Sequence, residues 1–178
     1  FSLARIAEAT GAELVAPGDP EVCPTGVGSD SRTIAPGQLF VALRGERFDG
    51  HDFLEQVAAE GACAALVEQR ADPAPDGLAQ LVVEDALAGL QRLGRWMWGQ
   101  AAARGVRGVA LTGSNGKTTT KELLRCLWST QGPTWATPGN YNNHIGVPLT
   151  LGNVPAGLDH LILEMGASHP GDIAELLA

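Results

Sequence analysis

Two spacing patterns of apolar residues divide the first half of the chain into helices and strands. Residues 3–10 have the spacing of a short helix, with Ser2 as its cap and Gly11 at its end. A second helix is predicted over residues 51–62. Short apolar runs bounded by turn residues predict buried strands at 38–43, 64–68 and 81–85. We therefore expect a small α/β domain over residues 1–84.

From about residue 85 the pattern changes to longer helices separated by short strands. Helices are predicted at residues 86–104, 117–130 and 171–178, and strands at 105–113 and 159–166. The alternation of strand, loop and helix is typical of a mostly parallel, doubly wound sheet. We predict a second α/β domain over residues 85–178. Because only two of its strands are evident, we expect this domain to be incomplete and the chain to be a fragment.

Composition places the chain among ordinary globular proteins and excludes several classes. It has 178 residues, of which 44% are hydrophobic and 18% charged, enough to bury a core. No apolar run approaches the ~20 residues that cross a bilayer, and the N-terminus does not resemble a signal peptide, so we expect no membrane insertion. The three cysteines are too widely spaced for a disulfide framework or a zinc site, which favours a cytoplasmic setting.

The charge balance is acidic, and the few lysines are concentrated in one place. A net charge of -8 argues against nonspecific binding to nucleic acid. The only two lysines are Lys117 and Lys121, against ten arginines, so any phosphate site must depend on local positive charge.

The stretch TGSNGKTTT, residues 112–120, resembles a phosphate-binding loop between a strand and a helix. In the common form G-x-x-x-x-G-K-[ST] the first glycine would stand where this chain has Leu111. Lys117 is expected to reach the β- and γ-phosphates, and Thr118 to offer its hydroxyl to Mg²⁺. The alternative is a plain turn with an exposed lysine. The predicted nucleotide contacts are Gly113, Ser114, Asn115, Gly116, Lys117, Thr118 and Thr119.

A carboxylate and an asparagine-rich loop lie further along the chain. Glu164 ends an apolar strand, where open α/β sheets place ligand-binding groups. A carboxylate there is costly unless it meets a cation, so Mg²⁺ is a candidate partner; the alternative is a solvated strand end. Asn140, Asn142 and Asn143 form local hydrogen bonds readily, and on their own they also fit a polar loop that satisfies its own backbone.

Arginines cluster in the first domain. Arg32, Arg44 and Arg47 are suited to bind a diphosphate, with Ser31 near the attached nucleoside. The alternative is that they pair with the neighbouring carboxylates Asp30, Glu46 and Asp49. From the residues alone, this surface pairing is the preferred interpretation.

Three groups of motifs, in order along the chain, resemble the Mur ligase family. The loop T-G-x-N-G-K-T is followed by G-N-x-N-N-x-I-G-x-P-L-T and E-x-G-x-x-x-x-G-[DE]-I. The first domain adds D-S-R at residues 30–32 and R-G-x-x-x-D-G-H-x-F at residues 44–53. The asparagine-rich and E-x-G elements are similar to the branch of the family that adds D-alanyl-D-alanine.

This resemblance implies an ATP- and Mg²⁺-dependent, cytoplasmic and monomeric ligase of cell-wall precursor synthesis. Its substrates would be UDP-N-acetylmuramoyl-tripeptide, bound by residues 1–84, and D-alanyl-D-alanine. Lys117 and Glu164 would be catalytic, and Thr118, Thr137 and Glu164 would hold the metal. The implied substrate contacts are Ser31, Arg32, Arg44, Gly45, Asp49, His51, Asn140, Asn142 and Asn143.

Several alternatives remain open at this point. A Mur ligase that adds the third peptide residue, or a folylpolyglutamate-type ligase, would share the phosphate loop. A kinase or GTPase would need a base-reading motif such as N-K-x-D, which the sequence lacks. A noncatalytic nucleotide-binding module is a further alternative. The family's carbamylated lysine, adenine-contacting segment and C-terminal domain would lie beyond Ala178, so we expect residues 1–178 alone to be inactive.

Overall fold

The computed structural model describes residues 1–15 and 19–177 and divides into two compact units, Phe1–Leu93 and Gly94–Ala178. Both units are mixed α/β, as predicted. The predicted domain boundary at residues 84 and 85 lies just before an 18-residue helix, and the two units divide inside that helix. Among the described residues, no helix is both long and apolar enough to cross a membrane.

The first unit is a five-stranded sheet with helices on it. Its elements are α1 (Leu3–Thr10), β1 (Glu13–Val15), β2 (Val27–Gly28), β3 (Leu39–Val41), a 3-10 turn (Gly50–Phe53), α2 (Leu54–Ala59), β4 (Ala64–Val67), β5 (Ala79–Val82) and the start of α3 (Ala86–Ala103). The strand order is β1-β5-β4-β3-β2, in which only β1 is antiparallel to its neighbour.

The core of the first unit explains its apolar runs. One face of the sheet packs Phe40 and Ala65 against Leu54 and Val57 of α2. The opposite face carries Leu66, which lies so close to α3 that a Cβ on Gly89 would be 3.0 Å from it. Because β3 and β4 are covered on both faces, they are continuously apolar rather than alternating.

Some predicted boundaries in this unit were wrong. The helix predicted at residues 51–62 is shorter and begins as a 3-10 turn, and the strand predicted at 81–85 begins two residues earlier. Ser2 stands at the N-terminal cap of α1, but its side chain makes no capping hydrogen bond. The sequence patterns also missed β1 and β2, which have only three and two residues and hence little periodicity.

The second unit contains a parallel sheet in the order β6-β8-β7. Its elements are the end of α3, then β6 (Arg107–Leu111), α4 (Lys117–Ser129), β7 (Thr134–Ala136), α5 (Gly146–Gly152), β8 (His160–Glu164) and α6 (Asp172–Leu177). Val147, Leu151 and Leu161 form the centre of its core, with Trp98 packed against them.

The expectation of only two strands in the second unit was wrong, because β7 is a third. Its sequence, Thr134–Ala136, is short and half-buried, so it lacks the apolar run that marked β8. Helix α5 was also missed: its residues 146–152 are all buried, although they follow the asparagine-rich stretch directly and contain Pro148.

Candidate nucleotide and metal site

Three parallel strands of the second unit end at the same edge of the sheet, and a predicted site residue lies at or just after the end of each. Leu111, at the end of β6, lies opposite Glu164, at the end of β8. Thr137 follows β7, and its backbone N–H donates to the Ile162 carbonyl on β8 at 2.9 Å. Leu111, Thr137 and Glu164, which lie 26 to 53 positions apart in sequence, are thereby brought to one edge, since carboxyl ends of parallel strands coincide.

The phosphate-binding loop has the backbone shape that its glycines permit. Gly113 and Gly116 have φ values of 153° and 76°, a region that residues with a Cβ rarely adopt. Helix α4 begins at Lys117, directly after the second glycine, so its free N–H groups face the loop. Ser114, Asn115 and Thr119 are exposed, as a loop that receives phosphate requires.

Lys117 is folded back over this loop. Its Nζ donates to the carbonyl of Gly113 at 2.7 Å, within the strand-to-helix connection. A lysine in this position is an ammonium group at the mouth of the loop, where an incoming phosphate oxygen can take the place of the carbonyl as acceptor. This geometry agrees with a phosphate-binding role and differs from that of a lysine extended into solvent.

Glu164 is buried, so the solvated strand end considered from the sequence is wrong. Its side chain is only 3% exposed. Oε2 accepts a hydrogen bond from the Thr118 hydroxyl at 3.1 Å, and Oε1 accepts one from Nδ2 of Asn142 at 3.0 Å. The predicted need for a cation is met by Lys121, whose Nζ lies 3.5 Å from Oε2. The carboxylate is thus the centre of a compact polar cluster.

The sequence interpretation missed Lys121 as a site residue. Lys121 is 2% exposed, and its Nζ donates to the carbonyls of Thr137 at 2.9 Å and Gly139 at 3.5 Å. A signal was present: a second lysine one helical turn after Lys117, in a chain with no others. Periodicity alone did not reveal its burial, because the remaining face of α4 is largely polar and exposed.

The Thr137 hydroxyl serves the backbone around the carboxylate. Its Oγ1 accepts a hydrogen bond from the Glu164 N–H at 2.8 Å and donates to the Ile162 carbonyl at 3.4 Å. The residue is 2% exposed. In this structure Thr137 positions the strand end that carries Glu164, while its role as a metal ligand stays a prediction.

The three asparagines have different environments. Only Asn142 reaches Glu164, and its backbone carbonyl also accepts the Gly166 N–H at 2.6 Å. Asn143 stabilises the turn that leads into helix α5, since its Oδ1 accepts the N–H groups of Ile145 at 3.1 Å and Gly146 at 2.8 Å. Asn140 is exposed. The structure therefore brings one asparagine into the cluster and leaves the substrate roles of the other two as predictions.

The donor set fits Mg²⁺ only as part of a nucleotide complex. It offers the Glu164 carboxylate and the Thr118 hydroxyl, both oxygen donors of the kind that Mg²⁺ prefers. No group of three or more His, Cys, Asp or Glu side chains able to hold a metal occurs among the described residues. The remaining ligands would have to be phosphate oxygens and water, as is common for Mg²⁺ at nucleotide sites.

In the first unit, the D-S-R element is held together by an ion pair. Arg32 donates to both oxygens of Asp30, from Nε at 2.9 Å and Nη2 at 2.6 Å. These hydrogen bonds lower the pKa of Asp30 to about 2. The Ser31 carbonyl accepts from Nε2 of Gln56 at 3.3 Å. Arg32 is thus paired, as the surface-pairing alternative predicted, although its side chain remains 83% exposed.

The R-G-x-x-x-D-G-H element is a turn fixed by a hydrogen-bond network. Arg44 and Asp49 form an antiparallel bridge, and their side chains are 3.0 Å apart. Asp49 Oδ1 accepts the backbone N–H of His51 at 2.9 Å and lies 2.6 Å from its Nδ1. The backbone hydrogen bond from His51 is the main cause of the lowered pKa of Asp49.

His51 connects this turn to the end of strand β4. Its Nε2 accepts the Glu68 N–H at 2.9 Å, which in the neutral ring leaves the proton on Nδ1, facing Asp49. Glu68 also lies 3.5 Å from Arg44 and accepts the Ala86 N–H at the start of α3 at 3.1 Å. Asp49 and His51 therefore stabilise this turn, and their substrate contacts stay predictions.

The tip of this turn points away from the network. Gly45 and Arg47 are exposed, and the Phe48 side chain is exposed as well, at 71% for the residue. The hydrogen-bond network fixes the base of the turn, and the tip remains exposed to solvent. Phe48 was not singled out from the sequence, since an aromatic residue within a motif carries no signal of exposure.

Comparison with known families matches both units. Residues 24–91 match the model described as Mur ligase family, catalytic domain, and residues 111–178 match the Mur ligase middle domain. The chain is 47% identical over 148 residues to the UDP-N-acetylmuramoyl-tripeptide–D-alanyl-D-alanine ligase of Escherichia coli K12. That similarity covers 83% of this chain and 31% of the relative, so the chain spans about a third of that protein's length.

Solved structures give the same result. The UDP-N-acetylmuramoylalanyl-D-glutamyl-2,6-diaminopimelate–D-alanyl-D-alanyl ligase of Acinetobacter baumannii is 38% identical, with a TM-score of 0.88 over 99% of this chain and 38% of its own. The MurF ligase of Thermotoga maritima in complex with ADP is 39% identical, with a TM-score of 0.72 over 85% of this chain and 34% of its own. Both units, the phosphate-binding loop and the buried carboxylate are thus found together in a chain that belongs to the Mur ligase family.

Proposed function

We propose that the complete protein is an ATP-dependent ligase that joins D-alanyl-D-alanine to UDP-N-acetylmuramoyl-tripeptide. The observation that carries this proposal is the cluster in which Glu164 accepts hydrogen bonds from both Thr118, of the phosphate-binding loop, and Asn142, of the asparagine-rich loop. It joins the nucleotide motif to the motif typical of the dipeptide-adding branch. The names of the relatives from Escherichia coli and Acinetobacter baumannii support the same substrates.

The reaction we infer has two stages. The terminal carboxylate of the tripeptide first takes the γ-phosphoryl group of ATP, which converts a poor electrophile into an acyl phosphate. The amine of D-alanyl-D-alanine then displaces phosphate and forms the peptide bond. No side chain has to act as a covalent nucleophile, and the residues around the loop bind and orient phosphate.

Each residue of the cluster has a defined part in this proposal. Lys117 moves its ammonium from the Gly113 carbonyl to the phosphates and stabilises the charge that develops during transfer. Thr118 and Glu164 would hold Mg²⁺, with Thr137 fixing the position of the Glu164 backbone. When bound, Mg²⁺ would neutralise phosphate charge and orient the nucleotide. The ADP complex of the relative from Thermotoga maritima supports nucleotide binding in this family.

We assign the UDP precursor to residues 1–84 and ATP to residues 85–178. In the first unit, the exposed Arg47 forms no ion pair with the described residues, and it lies on a turn that Asp49 and His51 hold in place. It is therefore the arginine most available to a diphosphate, while Arg32 and Arg44 would have to share their carboxylate partners. Asn140 and Asn143 are proposed to contact the substrate from the second unit.

The proposed reaction belongs in the cytoplasm, where UDP-linked precursors and ATP are available, and we propose a monomer. Because the chain spans about a third of its relatives' length, the activity is assigned to the complete protein. We expect residues 1–178 alone to bind the UDP precursor without forming peptide bonds. Third-residue-adding and folylpolyglutamate-type ligases are less favoured, since the relatives reported above carry the name of the dipeptide-adding enzyme.

Phosphate release by the complete protein, with paired substrates, tests this function. UDP-N-acetylmuramoyl-tripeptide with D-alanyl-D-alanine should support ATP-dependent phosphate release and a ligated product in mass spectrometry. UDP-N-acetylmuramoyl-dipeptide with a diamino acid should not. The reverse preference would assign the protein to the third-residue branch, and turnover with neither pair would refute the proposal.

A further inference from the structure

We propose that Lys121 is an internal cation that keeps free divalent metal from Glu164 and admits metal only together with nucleotide phosphates. The proposal rests on the nucleotide site described above and adds an order of binding to it. Lys121 and Glu164 are both 3% exposed in their side chains, and Nζ lies 3.5 Å from Oε2. The ammonium group therefore occupies one side of the only carboxylate that the predicted metal site offers.

The position of this ammonium group is fixed by the backbone and does not depend on Glu164 alone. Nζ donates to the Thr137 carbonyl at 2.9 Å and the Gly139 carbonyl at 3.5 Å, both in the turn after β7. The backbone of Lys121 lies within helix α4, which restricts where its side chain can begin. A buried charge is costly to leave without partners, so these acceptors hold the ammonium in place whether or not metal is present.

Of the carboxylates near Lys121, Glu164 is its main partner. Glu122 is the other carboxylate near Nζ, at 3.8 Å, but it is half-exposed and pairs more closely with Arg125, at 2.7 Å. Exposed pairs are screened by solvent, whereas a buried pair is not. The Glu164 carboxylate is thus largely neutralised within the protein, and a divalent ion that approached it alone would meet the repulsion of a fixed cation at short range.

Bound nucleotide changes the charge balance at Glu164 so that a divalent ion is attracted. The two positive charges of Lys117 and Lys121 exceed the single negative charge of Glu164. This excess positive charge suits an anionic metal–nucleotide complex better than a bare cation. The phosphates supply both negative charge and the further oxygen ligands that the described residues do not offer at this site. Thr118 can turn its hydroxyl oxygen from Glu164 to the metal without moving Lys121. Metal and nucleotide should therefore each raise the affinity of the other.

Binding of Mn²⁺, followed by electron paramagnetic resonance of the free ion, tests this inference in the complete protein. Without nucleotide, wild type and Glu164→Gln should bind Mn²⁺ equally, because Glu164 contributes no site. With ADP, wild type should gain one Mn²⁺ that Glu164→Gln binds at least tenfold more weakly. Lys121→Gln should gain one nucleotide-free Mn²⁺ site that wild type lacks, at least tenfold tighter than the residual nonspecific binding of wild type, and Lys121→Gln/Glu164→Gln should lose it.

Matched controls separate charge from shape and from folding. Lys121→Arg keeps the positive charge and should gain no nucleotide-free site. The inference is overturned if wild type binds Mn²⁺ through Glu164 without nucleotide, if Lys121→Gln, folded by circular dichroism, gains no site, or if Lys121→Arg gains one. Should Lys121→Gln not fold, the comparison of wild type with Glu164→Gln still decides. The Mn²⁺ pattern requires no peptide substrate, so failure of the proposed ligase reaction would be seen separately.

Discussion

The Nζ of Lys121 lies 3.5 Å from Oε2 of Glu164, and the two side chains form a buried ion pair at the edge of the parallel sheet. One partner comes from the helix after the phosphate-binding loop and the other from the end of β8, 43 residues later in the chain. The pair links the nucleotide loop to the turn after β7, because Lys121 also binds that turn's carbonyls.

Replacing Lys117 should abolish turnover while leaving the fold intact. In Lys117→Ala the loop keeps both glycines but loses the ammonium group that now binds the Gly113 carbonyl. We expect a loss of phosphate release on the order of 10³-fold or more in the complete protein, since charge stabilisation is a large term in such reactions. Arg95→Ala, an exposed change on α3 in the same unit, is the control and should retain activity. Turnover by Lys117→Ala close to that of wild type would refute the loop's assigned role.

Asn142 should matter for the orientation of Glu164. Asn142→Ala removes the donor to Oε1, and Asn142→Asp places a second carboxylate where that donor was, 3.0 Å away. We expect kcat to fall on the order of tenfold for the first change and further for the second, because like charges at this distance repel. His144→Ala, an exposed change in the same loop, is the control. Equal kinetics for Asn142→Ala and Asn142→Asp would argue against the contact.

His51 should protect the end of strand β4 from local opening. Its Nε2 accepts the Glu68 N–H at 2.9 Å, a bond that His51→Ala removes. The loss of such a bond costs on the order of 1–3 kcal/mol, so exchange of the Glu68 amide hydrogen should accelerate about 5- to 150-fold. Amide hydrogen exchange followed by NMR measures this directly. Asp52→Asn, an exposed change in the same 3-10 turn, should leave the rate unchanged; an unaltered rate in His51→Ala would contradict the network.

Asp30 should titrate unusually low in the folded protein. Its pKa falls from an ordinary value of 3.8 to about 2, mainly through the hydrogen bonds from the Arg32 side chain. Because the folded-state pKa is depressed, the contribution of this pair to stability is complete above pH 3.8 and is lost as the pH falls through 2. Carbonyl NMR titration should show the low pKa in wild type and a return towards 3.8 in Arg32→Met. An unchanged pKa in Arg32→Met would show that another group lowers it.

The local pattern of residues was enough to identify most of the elements that carry the site, with β7 as the exception. Apolar runs located the buried strands β3, β4 and β8 and also the largely exposed β6, and helical spacing located α1, α3 and α4, because strands and amphipathic helices favour these patterns. The loop at residues 112–116 and the strand-end Glu164 followed from residue type and order alone. The strands β1, β2 and β7 could not be found in this way, since two or three residues contain too little of either period.

The tertiary structure decided which of these residues meet. The sequence by itself determined the α/β class, the glycine-containing loop between β6 and α4 and the place of Glu164 at a strand end, all of which depend on nearby residues. Three other features depend on distances between separate elements. Lys121 is the cation beside Glu164, and Asn142 alone of the three asparagines reaches this carboxylate. Asp49 and His51 fix a turn in the first unit. In the second unit those distances are set when the sheet orders its strands as β6-β8-β7 and α4 packs against β7 and β8, a choice made by packing of the whole unit.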